Sequence, residues 1–368
     1  MAPKLPLTTR ALLVRPAQLA PPKGARSYDA KLEEQTLRPL KKGEVLVKIN
    51  AVSFNHRDLW IRLGKYPAIG EGSPFGADGA GTVVGAADDN DPLLFKRVFL
   101  VPMRGWESDP EAPESPDLVI LGGSAKIPLG TFSEYVIVER DQVVSSPDHL
   151  DDEHLSAWPV AGTTAWRAAI VNGRVKKGDN VLITGIGGGV ALVAMQLCLA
   201  KGAKVFVTSG SKEKIDSAIK MGAMAGFSYK DADWVSQLAK ALKASSKDRP
   251  LLDVVVDSGG GEIMTTTNKI LRAGGRVVCY GMTAVPKITF TMREVLKNQQ
   301  LIGSTMGSHQ DTIEATKFLA EHRIVPVVSH TIDGLENAQE GFDLIKSGAH
   351  FGKVVIRIRH GREGFAKL

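Results

Sequence analysis

Cysteine is scarce: the 368 residues contain two, Cys198 and Cys279, each inside an apolar run, one helical and one strand-like. Two such residues build no disulfide framework and fit buried thiols in a reducing compartment. Long apolar runs are also missing. No stretch approaches the ~18–20 consecutive apolar residues that cross a bilayer, and Met1–Leu13 lacks the uninterrupted apolar core of a signal peptide. No membrane span is expected, and a cytoplasmic protein is. One competing address stands at the C-terminus, where Ala366-Lys367-Leu368 resembles the Ser-Lys-Leu signal for the peroxisomal matrix; the plainer reading is a basic tail. Charge of one sign is not concentrated anywhere. The net charge of +6 comes from lysines and arginines interleaved with carboxylates, which argues against nucleic acid as a partner and for a small anionic ligand.

What is present is an ordinary globular composition, 43% hydrophobic and 23% charged, in a chain long enough for two cores. From Arg10 to about His149 short strand-like runs alternate with turns, as in Glu44–Asn50, Gly79–Val84, Val98–Val101 and Thr131–Val138. Arg104–Pro116, rich in proline and acid, reads as a surface loop, and its Trp106 either walls a pocket or packs down as an anchor. After Asp151 the pattern changes. Apolar β-branched runs (Val181–Thr184, Lys204–Thr208, Leu252–Asp257, Arg276–Tyr280) alternate with helical segments such as Val190–Ala200 and Lys212–Met221. This predicts an α/β fold: a doubly wound parallel sheet of Rossmann type joined to a mostly β domain. The predicted division is residues 1–155 mostly β, 156–310 dinucleotide-binding, and 311–368 returning to the first domain.

The strongest chemical signal is Val181-Leu-Ile-Thr-Gly185-Ile-Gly187-Gly188-Gly189-Val190-Ala191, followed directly by a helical pattern. Strand, glycine turn and helix start leave bare N–H groups and the positive helix end where a pyrophosphate can sit. The end of the next strand selects the cofactor. NAD sites place an acid there, whereas this chain has Thr208-Ser209-Gly210-Ser211-Lys212-Glu213-Lys214. Two hydroxyls and two ammonium groups suit a 2′-phosphate, so NADP(H) is predicted.

With these residues in view the sequence resembles the medium-chain dehydrogenase/reductase superfamily, and within it the zinc-free quinone oxidoreductase branch. The resemblance rests on Asn55-His-Arg-Asp58 through Tyr66-Pro67, Gly76-Ala-Asp78-Gly-Ala-Gly81, Gly130-Thr-Phe-Ser-Glu-Tyr135, Ala161-Gly-Thr-Thr-Ala165, Asp257-Ser-Gly-Gly260, Gly303-Ser-Thr-Met-Gly307 and Phe351-Gly-Lys353-Val-Val355, in that order. It implies a GroES-like catalytic domain, a Rossmann domain, an active site in the cleft between them, and a homodimer joined through the Rossmann sheets. It places Asn55, Asp58 and Tyr66 as catalytic candidates. It carries Thr163 to the cleft, Gly188, Gly189 and Val190 to the pyrophosphate, and Ser209, Lys214 and Tyr229, with Ser211 beside them, to the 2′-phosphate. Gly281, Ser304 and Met306 go to the nicotinamide half. Lys353 faces cofactor or substrate, or is a loop lysine before the last strand.

In zinc-dependent relatives the ligands are a cysteine at the position of Asn55, a histidine at that of Ala77 and a cysteine or aspartate near Trp158–Gly162. The four-cysteine structural lobe would fall near Arg104–Gly123. None of these residues is supplied here, so no metal is expected. Without a Lewis acid an alkoxide is unsupported, which points to conjugated acceptors, a quinone or an α,β-unsaturated carbonyl. The competing expectation is an accessory or crystallin-like NADPH-binding protein; retention of Asn55, Asp58 and Tyr66 favours an enzyme.

Overall fold

The computed structural model describes residues 5–17, 27–245 and 248–360. Ala366-Lys367-Leu368 lies outside them. The chain forms two compact units, one of residues 1–160 and 325–368, the other of residues 161–324. Both crossings come later than the sequence pattern suggests. Helix His309–Glu321 buries Ala315, Phe318 and Leu319 within the second unit, with Phe318 against Trp166 at 5.4 Å, so the return to the first unit starts at Val325 and not at 311.

The first unit is mostly β. Its seven-stranded sheet runs Val328–Asp333, Lys353–Arg357, Glu44–Ser53, Asp78–Ala86, Arg97–Leu100 and Val143–Ser145, with Tyr135–Glu139 pairing the early half of Glu44–Ser53. Alternation in Glu44–Ser53 sends Val45, Val47 and Ile49 into a core completed by Phe54, Phe75, Phe132 and Phe342, whose rings meet edge to face. Of the run Thr131–Val138, only Tyr135 onward is strand. The segment after Ser53 is the helix His56–Arg62.

Two registers decide what meets in this unit. Asp78 pairs directly with Ser53. The returning strand is antiparallel, with Val355 opposite Ser53 and the Phe54 N–H on the Val354 carbonyl at 2.9 Å, which brings Lys353 level with Asn55.

The Arg104–Pro116 segment is an ordered loop. Glu114 accepts three backbone N–H bonds, from Glu107, Ser108 and Asp109, each at 2.7 Å, and these hold its carboxyl at about 2. Trp106 is buried and donates its indole N–H to the Asp109 carbonyl, the anchoring role of the two considered.

The second unit holds a six-stranded parallel sheet. In chain order its strands are Asn180–Ile183, Lys204–Ser209, Ala225–Ser228, Leu252–Asp257, Leu271–Cys279 and Gln300–Gly303, and across the sheet they lie in the order third, second, first, fourth, fifth, sixth. This is the doubly wound arrangement whose strand order reverses between the first and fourth strands. Helix Gly189–Ala200 is apolar nearly all round because it is buried nearly all round. Helix Trp234–Ser245 turns Trp234, Leu238 and Leu242 to the core at helical spacing, whereas the seven-residue π-helix Trp166–Asn172 carries no clear sequence signal. Both cysteines are free and buried, and burial pushes the Cys198 thiol up to about 12. Among the described residues no helix is long and apolar enough to cross a membrane.

Candidate active site

In the first unit the strand registers assemble a buried polar cluster. Lys353 Nζ donates to Asn55 Oδ1 at 2.7 Å and to Asp78 Oδ2 at 2.8 Å, and Asn55 Nδ2 donates to the same Asp78 oxygen at 2.8 Å. The Ser53 hydroxyl and the Val160 N–H give Asp78 two more bonds, at 3.1 and 2.8 Å. Asp78 is fully buried and Lys353 nearly so, whereas Asn55 is partly exposed. A buried ion pair of this kind persists only because every charge is met.

Asn55 stands at the N-cap of helix His56–Arg62, where an asparagine side chain ordinarily bonds the first turn. Here Asn55 and Asp58 are placed as a capping box, and the strong bonds of the Asn55 amide go to Lys353 and Asp78. Asp58 secures the backbone, accepting the Asn55 N–H on Oδ2 at 2.7 Å. Its other oxygen is buried without a hydrogen-bond partner, 3.9 Å from the Arg57 guanidinium. Burial pushes the Asp58 carboxyl up to about 6, against the pull of Arg57, the Asn55 N–H and Lys353. Arg57 itself donates to the carbonyls of Leu121 and Gly122 and lies 4.6 Å from the centre of the Tyr66 ring, so the third catalytic candidate sits on a buried cation. His56 packs edge to face on Trp60.

In the second unit the glycine turn has the geometry its sequence suggests. Gly185 and Gly187 adopt φ of 64° and 133°, regions that favour glycine. Gly188 is the N-cap of helix Gly189–Ala200, no side chain caps that helix, and a Cβ built on Gly188 meets nothing within 4 Å. The bare N–H groups of Gly189 and Val190 therefore begin the helix under open space, and a pyrophosphate fits there.

At the end of the second strand Ser209 Oγ accepts the Ser211 N–H, and Ser211 caps the next helix while donating to Glu213. The two lysines behave differently. Lys212 is tied to Asp216 one turn on, at 2.7 Å, and points into solvent, so the sequence's first lysine does not serve this corner. Lys214 folds back over the turn: a methyl on Gly187 would lie 3.3 Å from its Nζ. Tyr229 comes to the same strand end, as does Lys230, which the sequence reading missed; a methyl on Gly210 would meet the Tyr229 hydroxyl at 2.6 Å and Lys230 Cε at 3.0 Å.

A pocket of about 320 Å³ opens at the strand-order reversal, lined by Gly185, Thr208, Tyr229, Trp234, Asp257 and Ser258 among others. Its position at the carboxyl ends of parallel strands is where such sheets take nucleotides. A larger hollow of about 460 Å³ in the first unit is lined by Arg38 and Glu44, which already pair with each other, and includes none of the cluster residues. Neither pocket is lined by the cluster residues, and the smaller one occupies the nucleotide position of the parallel sheet.

Of the remaining candidates, Gly281, Ser304 and Met306 follow strand ends, and Thr163 lies on helix Pro159–Ala165. Gly281 accepts the Cys279 thiol, and Ser304, whose Oγ is buried without a partner, follows the adjacent strand. Thr163 bonds Thr312 at 2.9 Å, and Met306, at φ 43°, accepts the Thr164 hydroxyl on sulfur. Lys353 belongs to the first unit's cluster, with its ammonium committed to Asn55 and Asp78.

The chain matches the alcohol dehydrogenase GroES-like domain over residues 41–148 and the zinc-binding dehydrogenase family over residues 189–321. The zinc-type alcohol dehydrogenase-like protein YogA of Leptosphaeria maculans is 41% identical over 327 residues, 86% of this chain and 90% of that protein. The chain belongs to the medium-chain dehydrogenase/reductase superfamily. Among solved structures, an NAD-dependent alcohol dehydrogenase is similar with a TM-score of 0.79 at 28% identity, over 95% of this chain and 100% of that one. The crotonyl-CoA carboxylase/reductase AntE, solved in complex with NADP, shares the fold with a TM-score of 0.82 at 20% identity, over 96% of each chain.

As a medium-chain dehydrogenase/reductase the chain is an oxidoreductase with a nicotinamide dinucleotide site. The superfamily's zinc is a separate matter, decided by donors. The position of Asn55 presents an amide, Ala77 presents a methyl, and the neighbouring carboxylate of Asp78 is saturated by Lys353, Asn55, Ser53 and Val160. Among the described residues no group of three or more His, Cys, Asp or Glu side chains is placed to hold a metal ion. These residues do not make a zinc site.

Proposed function

We propose that this chain is a zinc-independent, NADPH-dependent reductase of conjugated carbonyl acceptors, a quinone or an α,β-unsaturated carbonyl. The observation that carries the reading is the makeup of the buried cluster. Where zinc-dependent relatives gather thiolate and imidazole, Asn55, Asp78 and Lys353 satisfy one another. An alcohol substrate would leave a localised alkoxide with no Lewis acid beside it, whereas a conjugated acceptor spreads the incoming charge.

The dinucleotide, when bound, supplies the hydride. The Gly187–Val190 turn holds its pyrophosphate, Ser209, Ser211, Lys214 and Tyr229 take the 2′-phosphate, and Thr163, Gly281, Ser304 and Met306 take the nicotinamide half. NADPH oxidation against quinones, enones, alkenals and simple aldehydes tests the activity, with turnover expected for the first three. Tight NADPH binding with no turnover of any acceptor would favour an accessory binding protein.

Lys214 carries the cofactor preference. Lys214→Ala is expected to weaken NADPH binding about 10- to 100-fold, the loss of one charge-assisted bond, and to leave NADH nearly unchanged. Binding titrations with both cofactors check it, and equal losses would remove the phosphate assignment.

A homodimer through the second unit fits the free edge of its sheet. Strand Gln300–Gly303 ends the sheet, and just before it Met292 is 64% and Leu296 76% exposed. Leu296→Glu is expected to turn a dimer into a monomer in sedimentation velocity.

A further inference from the structure

In the second unit, strands Lys204–Ser209 and Ala225–Ser228 run parallel with Ser209 opposite Ser228, so the two end at the same level. Gly210 follows the first, and Tyr229 and Lys230 follow the second. A turn fixes the lysine: its N–H bonds the Ser228 hydroxyl at 3.3 Å, and the Asp231 N–H bonds the Ser228 carbonyl at 3.1 Å. Gly210 has no side chain to occupy the space between the strand ends. A methyl there would lie 2.6 Å from the Tyr229 hydroxyl and 3.0 Å from Lys230 Cε, so both side chains rest where a larger residue would displace them. Tyr229 also lines the 320 Å³ pocket, which puts this corner at the pocket's rim. Among the described residues the Lys230 ammonium has no hydrogen-bond or ion-pair partner. The acids near it in the chain are placed otherwise. Glu213 accepts the Ser211 hydroxyl at 2.6 Å, Asp233 accepts the Gln237 amide at 2.8 Å, and Asp231 forms no ion pair with it.

We propose that Lys230 is a specificity-determining residue of the dinucleotide site, a second cation that meets the 2′-phosphate from the turn after the third strand while Lys214 meets it from the helix. The inference rests on the NADPH reading. A phosphate monoester carries a charge of about −1.5 to −2 at neutral pH, more than one ammonium balances. Lys212 is spent on Asp216, and Lys214 is shared with the glycine turn, its Nζ 3.3 Å from a methyl placed on Gly187. Lys230 supplies the missing charge from a different element, and the Tyr229 hydroxyl beside it supplies a hydrogen bond. A ribose 2′-hydroxyl brings no charge to the same corner, so the second ammonium favours one cofactor over the other without adding to the binding they share. No local motif contains Lys230; parallel strand pairing brings it to Gly210 from twenty residues further along the chain.

The experiment titrates the full chain with adenosine 2′,5′-bisphosphate and adenosine 5′-monophosphate, which differ only in the 2′-phosphate, and with NADPH and NADH. Lys230→Met keeps the length of the side chain and removes its charge. It is expected to weaken the bisphosphate and NADPH about tenfold and to leave the monophosphate and NADH within about twofold of wild type. Lys230→Arg should keep the preference. The loss in Lys230→Met should shrink as salt is raised to about 0.5 M, because the contact stands in solvent and is screened. Lys230→Met together with Lys214→Ala should bring NADPH and NADH within about threefold of each other. A Lys230→Met protein with the wild-type preference would overturn the inference while the NADPH reading stands. Equal losses for bisphosphate and monophosphate would overturn it too, by making Lys230 a wall of the adenosine pocket and not a phosphate ligand. A wild type that binds both adenosine nucleotides equally defeats the NADPH reading itself, and the inference with it.

Discussion

Lys353→Met alone is expected to lower the free energy of unfolding by about 3–5 kcal/mol, the cost of leaving a buried charge without its partner. The group left behind is Asp78, fully buried, whose one ionic contact within 4 Å among the described residues is Lys353 Nζ at 2.8 Å. Adding Asp78→Asn should recover most of the loss, because an amide in the same place keeps an acceptor for the Val160 N–H and carries no charge. Urea denaturation of wild type, both single variants and the double variant forms a complete cycle. Strong coupling between the two sites is expected. Additive losses would mean that the pair is not the electrostatic unit its geometry describes.

The same pair shows why the sequence was readable in one unit and not the other. The Rossmann half depends on local signals. Its central strands are buried on both faces, so Val254–Val256 within Leu252–Asp257 reads as an unbroken apolar run, and the glycine turn joins strand to helix within eleven residues of chain. The cluster around Asn55 depends on pairings across 23 residues to Asp78 and 298 to Lys353, set by two antiparallel registers with no local pattern to announce them. The motif residues were therefore visible and their use was not. Lys353 could be narrowed only to cofactor, substrate or loop, and Arg57 beneath Tyr66 was passed over. Lys212 shows the converse. Charge counting credited it to the phosphate corner, but a helical turn places Asp216 within reach, and a local pair takes it away.

Asp58→Asn is expected to make the protein more stable near neutral pH, by about 1–3 kcal/mol. The carboxyl is fully buried with one oxygen unpartnered, and burial lifts it from the ordinary 3.8 to about 6. Between those values the folded protein holds a proton that the unfolded chain has released. Wild-type stability therefore falls as pH rises through that window, and the full penalty remains above it. Asparagine has no such titration and can still accept the Asn55 N–H that Asp58 accepts at 2.7 Å. The variant's advantage should be absent below about pH 4, grow across the window and level off above about pH 6. Denaturation curves at several pH values measure it, and an advantage independent of pH would show that the carboxylate is not its source. A destabilising group kept at the foot of a catalytic candidate is what a site held for function looks like. Asp58 fastens the backbone from which Asn55 presents its amide, and Arg57, 3.9 Å from its free oxygen, carries the Tyr66 ring. The stability gained by removing that charge should accordingly come with slower turnover of the same acceptor.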